Sequence, residues 1–297
     1  MVELHCHLDG SLRIETLAEL TQDSREFIEI KKDISFYPNM GIRRALSCFK
    51  TTLSVMQTPD RVERITRELC DDVREFGHSY TEIRFAPQLH EGAPMEEIVD
   101  AAISGLDDRS SLILCGLYGE SPKVLLKLVE IAETRKKVVG IDLAGAPAEY
   151  HKYQMLDYEK PFTRAKQLGI GRTVHAAEGR SPREIKTAVE VLHAQRIGHG
   201  LTLLEDPEVL KLVLDRGITI EACLTSNWHT GAIERISDHP IKKWFDEGVK
   251  VAICADNILL SDTVLPIEYT KARNLCGLSN RKLLQCTINA EEAIFRR

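Results

Sequence analysis

The run Val2-Glu3-Leu4-His5-Cys6-His7-Leu8 sets two histidines one residue apart inside an apolar stretch. Side chains alternate along an extended strand, so His5 and His7 would point to one side, where two imidazoles can meet one ion. Three more polar groups interrupt other apolar runs: His175 in RTVHAAE, His199 in RIGHGL and Asp256 in KVAICADN. Histidine nitrogens combined with one carboxylate suit zinc or a related first-row ion, and a catalytic site of this kind keeps a position for water. His5, His7, His175 and Asp256 are the ligand candidates. A lone buried histidine is readily explained by a hydrogen bond to a carbonyl. The H-x-H pair plus two further histidines and an aspartate favours a shared centre instead. Glu178, three residues past His175, can act as a proton donor if partial burial raises its pKa. Its alternative is a cap on the next helix, whose start is marked by Ser181 and Pro182. Gly198 and Gly200 flank His199 and let backbone and ligand approach closely, while a packed core histidine is the competing reading.

Eight short apolar runs must carry these groups: 2–8, 80–87, 112–118, 138–145, 172–178, 196–201, 218–226 and 250–257. Between them lie segments of helical spacing with charged outer faces, such as PDRVERITRELCDDVREFG and PREIKTAVEVLHAQ. Eight strand-helix units in a chain of this size predict a single (β/α)8 TIM barrel over 1–297, rather than a doubly wound sheet. The first connection, 11–79, is the longest and must hold more than one helix. In such a barrel the C-terminal strand ends share one mouth, so residues far apart in sequence converge there.

The 297 residues are 43% hydrophobic and 28% charged, with a formal net charge of −6 and no basic cluster beyond pairs such as Lys31-Lys32. That balance gives little attraction to phosphate backbones or anionic lipid, so neither nucleic acid nor membrane is an expected partner. No apolar run approaches 18 residues and the N-terminus lacks a cleavable leader pattern, so a cytoplasmic address is expected. The eight cysteines are scattered without C-x-x-C pairs and read as reduced and structural.

The ordered set ELHCHLDGS, EIRFAPQ, GIDLAG, TVHAAE, RIGHG, CLTSN and ICADN resembles the adenosine/AMP deaminases of the metal-dependent amidohydrolase superfamily, over nearly the whole chain. The resemblance implies one zinc ion held by His5, His7, His175 and Asp256, and hydrolytic replacement of the amino group at C6 of a 6-aminopurine. It assigns His199 to orienting the attacking water, Asp256 to accepting a proton and Glu178 to protonating purine N1. It places the backbone of Gly145 against purine N3 and Asp9 on a ribose hydroxyl. Relatives acting on free adenine tend to carry glutamate in place of Asp9, which leans the expectation to a nucleoside. The fourth strand lacks the lysine that bridges two metals in binuclear relatives.

Three features depart from the family pattern. Asn257 stands where a second aspartate is common, facing purine N7, and an amide can donate there directly. The usual H-A-G-E reads H-A-A-E, placing Ala177 beside Glu178. The segment covering the first strand is shorter and more charged than the family lid, which would leave room for a larger 5′ or N6 substituent. Adenosine is the expected substrate. The alternatives are another adenine derivative, such as aminodeoxyfutalosine, adenine or a modified nucleoside or nucleotide, and a non-catalytic nucleoside-binding barrel. Nucleotides stand lower because only Arg13 is near Asp9 in sequence. Trp228 and His229 are expected either at the pocket mouth or packed in a loop.

Overall fold

The computed structural model describes residues 1–297. Its strands are β1 (Val2–His7), β2 (Tyr80–Phe85), β3 (Ser110–Leu117), β4 (Val138–Ala144), β5 (Gly171–Ala176), β6 (Arg196–His199), β7 (Thr219–Ala222) and β8 (Lys250–Ile253). All pair in parallel, in the order β1 to β8. Parallel strands are covered on both faces and read as near-continuous apolar runs, as β4 (VVGIDLA) does. The (β/α)8 barrel expected from the eight runs is the observed architecture.

Closure takes place just beyond β8, where Asp256 forms an isolated parallel bridge with Cys6. The Asp256 N–H donates to the His5 carbonyl at 2.9 Å, and the His7 N–H donates to the Asp256 carbonyl at 2.8 Å. The same bonds that shut the barrel therefore bring the first and last strand ends together at the mouth. No helix is long and apolar enough to cross a membrane.

Helices follow from amphipathic spacing and from marked starts. In Pro59–Glu75 the residues Val62, Ile65, Leu69, Cys70 and Val73 form one buried stripe, and Pro59 opens the helix where its missing N–H costs nothing. Asp206 caps Pro207–Arg216 by accepting from the Glu208 and Val209 N–H groups. The long first connection holds four helices: Ile14–Thr21, Phe27–Ile34, Ile42–Val55 and Pro59–Glu75.

Two boundaries differ from the sequence reading. The run at 218–226 is not one strand: β7 stops at Ala222 and Leu224–His229 is a helix. The run at 250–257 pairs only to Ile253, after which the chain bends toward β1.

The opposite end of the barrel is plugged by the chain's own C-terminal segment. A side chain on Gly171 or Gly140 would fall 2.2 Å or 2.8 Å from the Phe295 ring, so these glycines make room for it. The Arg196 guanidinium lies 3.7 Å from the ring centroid, and the Phe295 N–H donates to Glu82 Oε1 at 2.7 Å. Removing this ring leaves a cavity over two charged groups. Phe295→Ala should cost about 3 kcal/mol, read as a lowered urea midpoint at unchanged slope.

Candidate active site

His5 and His7 lie on one side of β1, as alternation predicts, and His175 and Asp256 reach the same point from β5 and from beyond β8. His7 Nε2 is 3.2 Å from His5 Nε2 and 3.3 Å from His175 Nε2. Asp256 Oδ1 is 3.6 Å from His5 Nε2 and 3.5 Å from His7 Nε2. The far nitrogens decide what these contacts mean. His5 Nδ1 donates to Glu221 Oε2 at 2.7 Å, and His175 Nδ1 faces Asp142 Oδ2 at 3.0 Å. Carboxylates can only accept, so each of these rings keeps its proton on Nδ1 and points an Nε2 lone pair inward.

Lone pairs this close repel unless a cation stands between them. A tetrahedral zinc ion with bonds of about 2.0–2.1 Å spaces its donors by about 3.3 Å, which the 3.2 and 3.3 Å between imidazole nitrogens match and the 3.5 and 3.6 Å to Asp256 approach. Burial holds His5 and His7 well below the usual imidazole range, with nearby Arg84 and His175 adding to it, so both rings stay neutral and able to donate. His175 goes the other way: Asp142 outweighs burial and raises it.

His199 also approaches His5 and His175, but its tautomer differs. Asn227 Nδ2 donates to His199 Nδ1 at 3.0 Å, which leaves the proton on Nε2 and makes that atom a donor toward the centre. His199 can therefore hold an oxygen by hydrogen bonding while the other three bind a metal. Gly198 makes this packing possible, since a side chain there would come within 3.0 Å of the His5 ring.

Glu178 does not cap the next helix. Glu184 meets the Ala177 N–H at 2.7 Å instead, and Glu178 turns inward to Asn227 Nδ2 at 3.3 Å and Thr230 Oγ1 at 2.9 Å. Burial raises its pKa, only partly offset by the Thr230 hydroxyl, which favours the protonated form that a proton donor needs. Its Oε2 is 3.9 Å from His199 Nε2.

Two adjoining cavities open from this point. The inner one, about 60 Å³, is lined by His7, His175, His199, Glu178, Asp256 and Asn257. The outer one, about 680 Å³, carries Asp9, Gly145 and Glu178 among largely apolar walls. Ile42, Leu46, Phe49 and Leu53, spaced by three and four residues along Ile42–Val55, supply one of those walls. Gly145 adopts φ +80, a conformation that favours glycine, so its backbone rather than a side chain faces the cavity. Asp9 Oδ1 and Asn257 Oδ1 are buried without a hydrogen-bond partner, and burial pushes Asp9 up to about 7. Asn257 Nδ2 donates to Asp256 Oδ1 at 2.8 Å.

His7, Asp9, Gly145, His175, Glu178, His199, Asp256 and Asn257 thus line one or both of the two cavities, with His5 beside them. Arg13 does not: its Nε and Nη2 bind Asp72 at 2.9 and 2.6 Å. Trp228 and His229 take the packing role, with His229 buried edge-on to Phe36 and Trp228 stacked on it. The groups behind the histidines, Asp142, Glu221 and Arg84, were missed, as were Asn227 and Thr230. The signal of Asp142, Glu221 and Arg84 was present as charges inside the apolar strands IDLA, TIEA and EIRF, the last holding both Glu82 and Arg84.

Comparison with known proteins agrees with this geometry. The profile of the family described as "Adenosine deaminase" matches residues 1–296. The adenosine deaminase of Clostridium acetobutylicum is 35% identical over 99% of this chain and 92% of that protein. The Arabidopsis N6-mAMP deaminase structure superposes with a TM-score of 0.85 at 25% identity, covering 100% of this chain and 93% of that one. The adenine deaminase of Arthrobacter aurescens shares the fold, with a TM-score of 0.88 at 22% identity, over 100% of this chain and 94% of that one. The chain is a hydrolase of the deaminase type and belongs to the adenosine deaminase family.

Proposed function

We propose that this protein hydrolyses adenosine, or a closely related 6-aminopurine nucleoside, to the 6-oxo product and ammonia, using one zinc ion per chain. The observation that carries the reading is the meeting of three imidazole Nε2 atoms and the Asp256 carboxylate beside a buried Glu178 whose pKa burial raises. The named adenosine deaminases at 35% identity support an adenine nucleoside as the substrate class.

His5, His7, His175 and Asp256 would hold the ion, which when bound supplies Lewis acidity and lowers the pKa of water to about 7. Glu178 protonates purine N1, which withdraws electron density from C6 and opens it to water. His199, donating from Nε2, steadies the oxygen that adds to C6, and Asp256 takes the proton that this oxygen gives up. Asp256 passes that proton to the amino nitrogen, the C6–N bond breaks to release ammonia, and the remaining O–H proton returns to Glu178 as the 6-oxo group forms. Gly145 presents backbone to the purine, Asn257 faces its five-membered ring, and the unpartnered Asp9 Oδ1 accepts from a ribose hydroxyl.

A 5′-phosphate finds little to bind. Of the two guanidiniums lining the outer cavity, Arg180 is held by Glu184 at 2.7 and 3.0 Å, and Arg43 lies exposed at the rim. Ammonia release measured with adenosine, adenine, adenosine monophosphate and 5′-modified adenosines tests the assignment. Adenosine or a 5′-modified adenosine should turn over fastest, and silence across the panel would overturn the reading. Glu178→Gln should keep its metal while losing about 10²- to 10⁴-fold in kcat, since proton donation is removed and shape is kept. Asp142→Asn should bind zinc about 10- to 100-fold more weakly in competition with a chelator, because His175 loses the carboxylate that fixes its tautomer.

A further inference from the structure

We propose that a cleft at the floor of the barrel binds a small, multiply charged phosphate anion, remote from the reaction centre. The cleft, about 430 Å³, lies where β5 to β8 begin, at the opposite end of the strands that carry His175 and His199 to the mouth. That volume lies within the range of small-molecule sites.

Its walls gather Lys166, Arg172, His193, Arg196, Arg216 and Lys250, with Glu292 as the only carboxylate among them. Two of these cations are neutralised: Arg196 by Glu82 and Glu221 at 2.5 and 2.7 Å, and Lys250 by Glu292 at 3.0 Å. Lys166, Arg172 and Arg216 have no carboxylate within ion-pair distance. In a chain with 45 acidic residues against 39 basic ones, three unmatched cations in one cleft run against the average.

Arg172 is the anchor. Its Nε donates to the His193 carbonyl at 2.8 Å and its Nη1 to the Ile170 carbonyl at 2.6 Å, so the guanidinium is fixed while Nη2 has no protein partner. Burial lowers its pKa, a sign that the charge is partly stripped of water without an anion in exchange. Burial also lowers His193, with Lys166 and Arg172 adding to the effect, which places the cationic groups within each other's field. A fixed guanidinium edge with two exposed cations beside it matches the several oxygens of a phosphate group or pyrophosphate. A nucleic acid is disfavoured by the net charge of −6.

Calorimetric titration of the zinc-loaded protein with inorganic pyrophosphate at low ionic strength tests this. Binding should weaken about tenfold or more in Arg172→Gln. It should also weaken several-fold in the double variant Lys166→Gln, Arg216→Gln, whose side chains are exposed and leave folding intact. Lys211→Gln, outside the cleft, should bind as the parent does. Absence of binding, or binding unchanged in the double variant, overturns the proposal; the second result would assign the anion to the metal at the mouth. This readout does not depend on which purine is deaminated, and turnover should be unaltered in all three variants.

Discussion

His5 and His175 can aim lone pairs at one point only while their outer nitrogens are held from behind, by Glu221 at 2.7 Å and Asp142 at 3.0 Å. Those carboxylates sit inside the barrel, where an unmatched negative charge would be costly. Arg84 resolves this by donating to Asp142 Oδ2 at 2.7 Å and to Glu221 Oε2 at 3.0 Å from one guanidinium. Arg196 continues the chain of charge downward, joining Glu221 to Glu82. The interior is therefore a column of paired charges rather than stacked aliphatic layers, and breaking any pair would strand a buried charge. The aim of the histidines and the stability of the barrel share this column.

The strand ends show a second constraint. Ala177, His199 and Asp256 all have positive φ, at 57°, 69° and 67°, although none is glycine. Each carries backbone strain of about 1 kcal/mol, and such strain persists only where the surroundings over-determine it. Asp256 shows how: its N–H and carbonyl are both taken by β1, so closing the barrel forces the bend that turns its carboxyl toward the histidines. At Ala177 the H-A-A-E spelling, met in sequence as an oddity, is a methyl group held in a conformation glycine would adopt freely. The bend there turns Glu178 into the cavity and away from the helix that follows.

The barrel and the histidine cluster were legible in sequence because each rests on a local pattern: strand alternation for His5 and His7, and one polar residue at the end of each of several apolar runs. Asp142, Glu221 and Arg84 rest on pairings between strands far apart in the chain. A single acid inside IDLA or TIEA shows that a partner must exist, but not which one. The end of β7 was misread because Cys223-Leu224-Thr225-Ser226 continues an apolar, β-branched run while the chain has already turned into a helix. Tertiary context overrode propensity there. Arg13 is a related case: four residues from Asp9 in sequence, it is tied to Asp72 in the helix Pro59–Glu75, a pairing that sequence proximity does not show.

Burial reconciles two protonation demands that look opposed. In the proposed reaction Glu178 must keep a proton at a pH where free carboxylates have lost theirs, and the imidazoles of His5 and His7 must lack the extra proton that would block their lone pairs. Removal from water favours the neutral form of both an acid and a base, so one enclosed mouth raises Glu178 and lowers the two histidines together. Asp142 has to escape the same effect, because a protonated carboxyl would no longer fix the His175 tautomer. Burial alone would raise it, yet His175 and Arg84 hold it well below the usual carboxylate range. The site thus pairs Glu178, His5 and His7, which burial holds toward their neutral forms, with an ionised Asp142 beneath His175, a difference that the interior guanidinium helps sustain.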